Sequence, residues 1–290
     1  MPNYYATFDE TIARMTAKNA IIPALLMSYI ETASRQLDQT FASRRPYFQP
    51  YYETRRVLVR ATHVNSHEQS LRLDSPLLSI SAVTAGTTVL AANTDVVGYP
   101  DVTMPPFYRI ALSSTLSTCG RSWQSYAPNS LRQLNVSLTG FWGMSTDYGN
   151  SALAVDALAA DMTISQTSMT VADINGENVY GIAPRISPGA LVWLETELVE
   201  VTDANISTNV ATIRRAVNGT TAAIHLTGVA VKVFQVDDLV RQEVARQAGF
   251  LYARAGSYNT VEARDMVEIH YPPHLLTSFR TLAYQYHYYD

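Results

Sequence analysis

The sequence predicts an α+β protein: a helical core of long helices, a β meander, and an inserted small all-β barrel or sandwich module. Residues 23–41 and 238–255 carry apolar stripes of helical period, and residues 51–142 alternate with the period of strands. Beyond residue 155 the pattern turns to short strand segments separated by turn signals. The expected divisions are 1–154 for the first part of the core, 155–235 for the inserted β domain, and 236–290 for the second part with a tyrosine-rich C-terminal tail.

Each element has a local cause. Thr7-Phe8-Asp9-Glu10 has capping-box spacing, a hydroxyl followed three residues later by a carboxylate, and opens a short helix through Phe8, Ile12 and Met15. From Pro23 to Phe41 the residues Leu25, Leu26, Tyr29, Ile30, Ala33, Leu37 and Phe41 recur at three- and four-residue steps, with Ser28, Glu31, Arg35 and Asp38 opposite. Pro23 suits a first helical turn and Arg44-Arg45-Pro46 a stop. Strands are expected from Tyr51, over Leu71 to Leu78, on both sides of a Gly86 turn, over Phe107 to Leu112, and over Leu134 to Trp142, where Val136 and Leu138 share a face. The run ALAVDALAADMT, from Ala152, is helix-compatible. Short strands then follow at Thr167–Val171, Leu191–Leu194, Glu197–Thr202, Asn209–Arg214 and Val229–Phe234, with turns at Asn175-Gly176 and Asn218-Gly219. Asp237 is placed to cap a second long helix, Asp238 to Ala255, whose stripe is Leu239, Val240, Val244, Ala248, Leu251 and Tyr252, ended by Gly256. The tail reads as a strand over Val261–Tyr271 and, past Pro272-Pro273, a short aromatic helix.

Composition narrows the function classes. A chain of 290 residues with 47% hydrophobic content buries a sizeable core and is not disordered. The net charge of -4 argues against nonspecific nucleic-acid binding through bulk charge. The one cysteine, Cys119, excludes an internal disulfide framework and reads as a small buried hydrophobe. The polar, acidic start and the lack of any eighteen-residue apolar run imply a chain made in a cytoplasm, with no secretory leader and no membrane partner. Eighteen tyrosines against 16% charged residues, clustered at Tyr47, Tyr51 and Tyr52 and at Tyr284, Tyr286, Tyr288 and Tyr289, suit half-wet contact surfaces and hint at assembly.

No stretch carries a catalytic or metal-binding pattern. His63 and His67 fall in strand and turn, and His270 and His274 flank two prolines, so neither pair shares a helical face. In the Asp173–Asn178 run the glycine, Gly176, falls two places too early for a calcium loop, and the closing glutamate is absent, since Pro184 stands at the twelfth position. GxSxG, GxGxxG and GxxxxGK[ST] do not occur. Glu195 and Glu197 have strand spacing and read as a solvated face. The expectation is a protein that is not an enzyme and needs no cofactor or metal.

Charge distribution says more. Residues 1–72 carry nine basic against six acidic side chains, and residues 151–240 carry ten acidic against four basic, so the two regions differ in sign. The run RRPYFQPYYETRR, Arg44 to Arg56, reads either as a phosphate- or partner-contacting segment or as a solvated loop feeding a strand.

The order of these elements resembles a known family. YATFDETIARM, then LLMSYIETASRQLDQTF, then RRPYFQPYYETR is similar to the amino-terminal half of tailed-bacteriophage head-tail connector (adaptor) proteins, and DSPLLSISAV, PPFYRIAL and VSLTGFWG extend the likeness. The stretch from Glu197 to Phe234 resembles a small β unit carried by some of these proteins, with RAVNGTTAAIHLTG its most specific part, while the tyrosine-rich tail departs from the family pattern. The resemblance implies a virion structural protein at the head-tail interface, made in the bacterial host cytoplasm. It implies a homo-oligomer ring, a dodecamer, beneath the portal protein, continuing the channel for packaged DNA and docking a downstream neck or tail protein. A closed ring needs a heterologous interface, with which the opposite charges are compatible. Candidate subunit, portal or DNA-channel contacts are Arg44, Arg45, Tyr47, Tyr51, Tyr52, Arg55 and Arg56, and the tail tyrosines Tyr284, Tyr286, Tyr288 and Tyr289 are candidates for partner docking. Two other classes stay open: a virion accessory module binding carbohydrate or a host surface through residues 156–234 and aromatics such as Trp193, and an enzyme using Glu195 and Glu197.

Overall fold

The computed structural model describes residues 4–15, 21–40, 47–59, 64–65, 70–99, 104–113, 123, 134–257, 277–278 and 281. Among them the chain is mostly β, with two antiparallel sheets and three helices of more than one turn: α1 (Phe8–Arg14), α2 (Pro23–Thr40) and α3 (Asp238–Ser257). This corrects the expected helical core of long helices. Each long helix buries a single stripe, Leu26, Ile30, Ala33 and Leu37 on α2 and Val240, Val244, Ala245 and Ala248 on α3, whereas two large apolar clusters of the described residues are built by strands and their connections. A helical stripe covers one side of a neighbour, while a sheet offers a whole face.

The chain divides into two compact units: residues 1–43, 152–217 and 221–290, and residues 44–151 with 218–220. The helices thus group with the second sheet, and the meander stands by itself.

The meander unit contains β1 (Tyr51–Val59), β2 (Val64–Asn65), β3 (Ser70–Leu77), β4 (Ala82–Ala85), β5 (Thr88–Leu90), β6 (Val96–Tyr99), β7 (Phe107–Leu112) and β8 (Leu134–Trp142). Its order is β5-β4-β8-β3-β7-β6, with β1 lying along β8 and β2 on β3. Alternation sends Val83, Val136, Leu138, Ile110 and Trp142 to one apolar cluster with Trp123. Gly140 is obligatory, because a Cβ there would stand 1.9 Å from the Ser79 carbonyl oxygen. The Gly86-Thr87 turn between β4 and β5 has the positive φ, 61°, that its glycine supplies.

The other unit holds β9 (Ala152–Ala157), β10 (Ser168–Thr170), β11 (Leu191–Leu194), β12 (Glu197–Asn205), β13 (Val210–Arg214) and β14 (Ala230–Phe234), in the order β10-β13-β12-β11-β14-β9. The two end strands meet through the Leu158–Val171 bridge and the Ala159 N–H donating to Thr170 O at 2.9 Å, so the sheet closes to a near-barrel and leaves little free edge. Of barrel and sandwich, both open from sequence, the barrel is what forms. Residues 152–157, read as helix-compatible, form β9 instead, because pairing with β14 outweighs a propensity of tenths of a kcal/mol per residue.

The helices of this unit are tied by polar contacts. The capping box forms as expected: Glu10 N–H donates to Thr7 Oγ1 at 3.4 Å and Thr7 N–H to Glu10 Oε2 at 3.0 Å. The buried side of α1 is Glu10 and Thr11, while Phe8 and Ile12 are only half-buried. The reason is an ion pair, Arg241 Nη1 to Glu10 Oε1 at 2.8 Å, with both side chains buried. Arg241 also stacks on the Tyr180 ring, 3.6 Å from its centroid, and reaches Asp238, which accepts from the Tyr180 hydroxyl at 2.7 Å. On the other flank Ser34 Oγ accepts from Tyr5 N–H, and the Tyr5 hydroxyl donates to Asp38.

Removing one partner of a buried pair strands the other charge. Arg241→Ala is expected to cost about 3–5 kcal/mol, read as a fall in the urea midpoint. Glu31→Ala on α2, whose partner Arg35 is solvent-exposed, costs less than about 1 kcal/mol.

Candidate functional site

The densest group of chemistry-bearing side chains lies in the near-barrel around Glu197. This residue begins β12, whose alternation turns its side chain inward, and it is fully buried. A buried carboxylate needs donors on both oxygens. Oε1 accepts from Arg215 Nε at 2.7 Å and Ala216 N–H at 3.0 Å, and Oε2 accepts from Arg215 Nη2 at 2.7 Å and Ala223 N–H at 3.0 Å. His225 completes the set, with Nε2 at 2.9 Å from Glu197 Oε2 and Nδ1 at 2.7 Å from Glu195 Oε2.

The second layer orders the loops. Arg215 Nη1 donates to the carbonyls of Thr163 and Gln166, and Nη2 also to that of Ala223. The His225 backbone pairs with Met162 in both directions, and Thr227 donates to Asp161 through its N–H and its hydroxyl at 2.7 and 2.8 Å. Those two hydrogen bonds pull the Asp161 carboxyl below its ordinary range. Burial alone would raise the Glu197 carboxyl, but Arg215, His225 and the two backbone donors outweigh it and hold it down to about 2.

Chemically this is a saturated knot. Both oxygens of Glu197 are occupied, so it is not open to act as a general base or to coordinate a metal, and among the described residues no group of three or more His, Cys, Asp or Glu is arranged to hold one. The arrangement clamps the segment after β13 at both ends. Glu195 and Glu197, expected on a solvated face, converge on His225, with Glu195 half out in solvent on the β11–β12 turn and Glu197 buried. Sequence reading did not single out Arg215 or His225; the available signal was RAVNGTTAAIHLTG, which contains both.

The arginine-tyrosine candidates are placed as follows. Tyr47 packs on Tyr51 at 4.7 Å between ring centroids, and Tyr52 on Phe141 at 5.1 Å. Arg55 lies 4.5 Å over the Trp142 ring and pairs with Glu53 at 2.5 Å, while Arg56, one residue on, is exposed on the opposite face of β1. The two arginines therefore do not form one patch. Trp193 is half-buried. Arg44, Arg45 and the tail tyrosines Tyr284, Tyr286, Tyr288 and Tyr289 lie outside the described residues, as do Cys119, His63, His67, His270, His274 and the tail elements from Val261 onward. The Asp173 loop is an ordinary turn: its carboxylate accepts from Asn175 N–H and pairs with Arg185. No described helix is long and apolar enough to cross a membrane.

No protein-family model matches the sequence, and comparison with curated proteins finds no match.

The depressed carboxyl sets an acid limit. Glu197 contributes stability that is fully present above its ordinary value of 4.5 and is lost as pH falls toward about 2, so thermal unfolding followed from pH 5 to 2 is expected to show a falling midpoint. Glu197→Gln leaves Arg215 buried without its counter-charge, costs about 3–5 kcal/mol, and removes its share of that slope.

Proposed function

We propose that this chain is a head-tail connector, or adaptor, of a tailed bacteriophage. It assembles as a homo-oligomer ring, a dodecamer, under the portal protein, continues the channel for packaged DNA, and docks the next neck or tail protein at the head-tail interface of the virion. The observation that carries this reading is the ordered series of resembling segments, taken together with what those segments do in the fold. The first two supply α1 and α2, VSLTGFWG supplies most of β8, and RAVNGTTAAIHLTG supplies Arg215 and His225, which hold the Glu197 carboxylate. Residues that carry the likeness are thus committed to architecture, as expected of a protein whose work is done by its surfaces. The differing charge of residues 1–72 and 151–240 supports a heterologous contact between neighbouring copies.

Light scattering and negative-stain class averages of the purified chain, alone and mixed with its cognate portal, test the proposal. Rings of rotational symmetry in either sample are the expected result. A monomer that ignores the portal overturns it and favours an accessory module that binds carbohydrate or a host surface through the near-barrel.

A further inference from the structure

Among the described residues, the nine of β1 pair with β8 along their whole length on one side only. The Tyr52 N–H donates at 2.8 Å to Asn218 O, away from β8, so alternation directs the backbone N–H and C=O of Thr54, Arg56 and Leu58 to that same outer edge. The Asn218-Gly219 turn covers the start of the edge: Asn218 Nδ2 donates to Pro50 O, and a Cβ on Gly219 would stand 2.0 Å from Tyr52 O. Beyond it, Thr54 and Arg56 have no backbone partner among the described residues. Both side chains are exposed on one face, Thr54 linked to Thr139 at 2.7 Å. On the other face Arg55 is engaged by Trp142 and Glu53, and Val57 packs half-buried against the apolar cluster.

We propose that this edge accepts an extended acidic segment of another protein as an added antiparallel strand, over about five residues spanning Thr54 to Leu58. Open backbone groups supply affinity in strand addition, and alternate side chains supply selectivity. Arg56 is the charge on the exposed face, so a carboxylate at the facing position makes a favourable cross-strand pair, and an apolar residue beside Val57 extends the buried face. A second copy of β1 fits badly. The two-fold pairing that avoids the covered Tyr52 and uses all three open positions sets Arg56 against Arg56. The inference stands whether or not the chain forms a ring.

The test uses the full chain, isotope-labelled, and the peptide acetyl-Glu-Val-Glu-Val-Glu-amide, which sets glutamate opposite Arg56 and valine opposite Val57, with its lysine counterpart as control. In the free chain the amides of Thr54 and Arg56 are expected to exchange with deuterium at least tenfold faster than those of Arg55 and Val57, which bond to β8. The acidic peptide slows the first pair, shifts their resonances, and binds more tightly than the basic one. Thr54→Pro, which removes an outward N–H at an edge position that tolerates proline, leaves the melting temperature within a few degrees and abolishes peptide protection. Arg56→Glu reverses the preference between the two peptides. Equal protection of Thr54 and Arg55 amides in the free chain, or unchanged preference in Arg56→Glu, overturns the proposal.

Discussion

A carboxylate taken out of water has to be met by donors from the chain, and the near-barrel is arranged around meeting that need at Glu197. Its partners come from the residues following β13, from both ends of the segment between Ala216 and Ala223, and from His225 on the approach to β14. None of these stretches is a regular strand, and a loop of this length has no ladder of its own to keep it in place. Forming the ion pair and ordering the loop are therefore one event. Arg215 extends the order to the segment between β9 and β10 by capping two of its carbonyls. An apolar replacement of equal volume could match such a pair in stability, so what the charges add is a single arrangement of otherwise unrestrained backbone.

The same device recurs among the helices. At seven residues α1 is too short to be helical in isolation, since nucleation is costly and few bonds follow it. Glu10 supports it twice, returning a hydrogen bond to the capping residue with one oxygen and meeting Arg241 of α3 with the other. The Arg241 guanidinium is covered by the Tyr180 ring, which shields the pair from solvent, and Asp238 ties ring and guanidinium together. In both places one acidic side chain holds backbone and cation at once, which is why it tolerates burial.

With the buried polar groups committed in this way, what the described surface offers outward is backbone edge and scattered charge. The near-barrel largely removes its own edges by closing. The meander does not: β1 is long and, among the described residues, paired on one side and covered only at its start. Exposed strand edges are sites of association unless something blocks them, and a lone arginine resists self-pairing while favouring an acidic strand. This is a surface suited to assembly, in keeping with the proposed role.

Features that depend on neighbours in the chain were legible in the sequence. The capping box, the extent of α2, the strand at Leu191–Leu194 and the turn at Gly86 all follow from spacings of a few residues, where propensity and period act directly. Alternation likewise determined that Arg55 and Arg56 oppose each other, although a run of charge invites reading them as one patch. Where local preference and pairing disagree, as at Ala152–Ala157, the distant partner β14 prevailed. The balance of sheet over helix was misjudged for the same reason, because helical stripes are conspicuous in sequence while sheet faces are assembled from several short strands. Arg215 and His225 lie 18 and 28 residues from the carboxylate they serve, and Arg241 lies 231 from Glu10. Only tertiary structure brings them together, because period and propensity describe neighbours along the chain, whereas a buried charge is answered by whatever the closed fold places beside it.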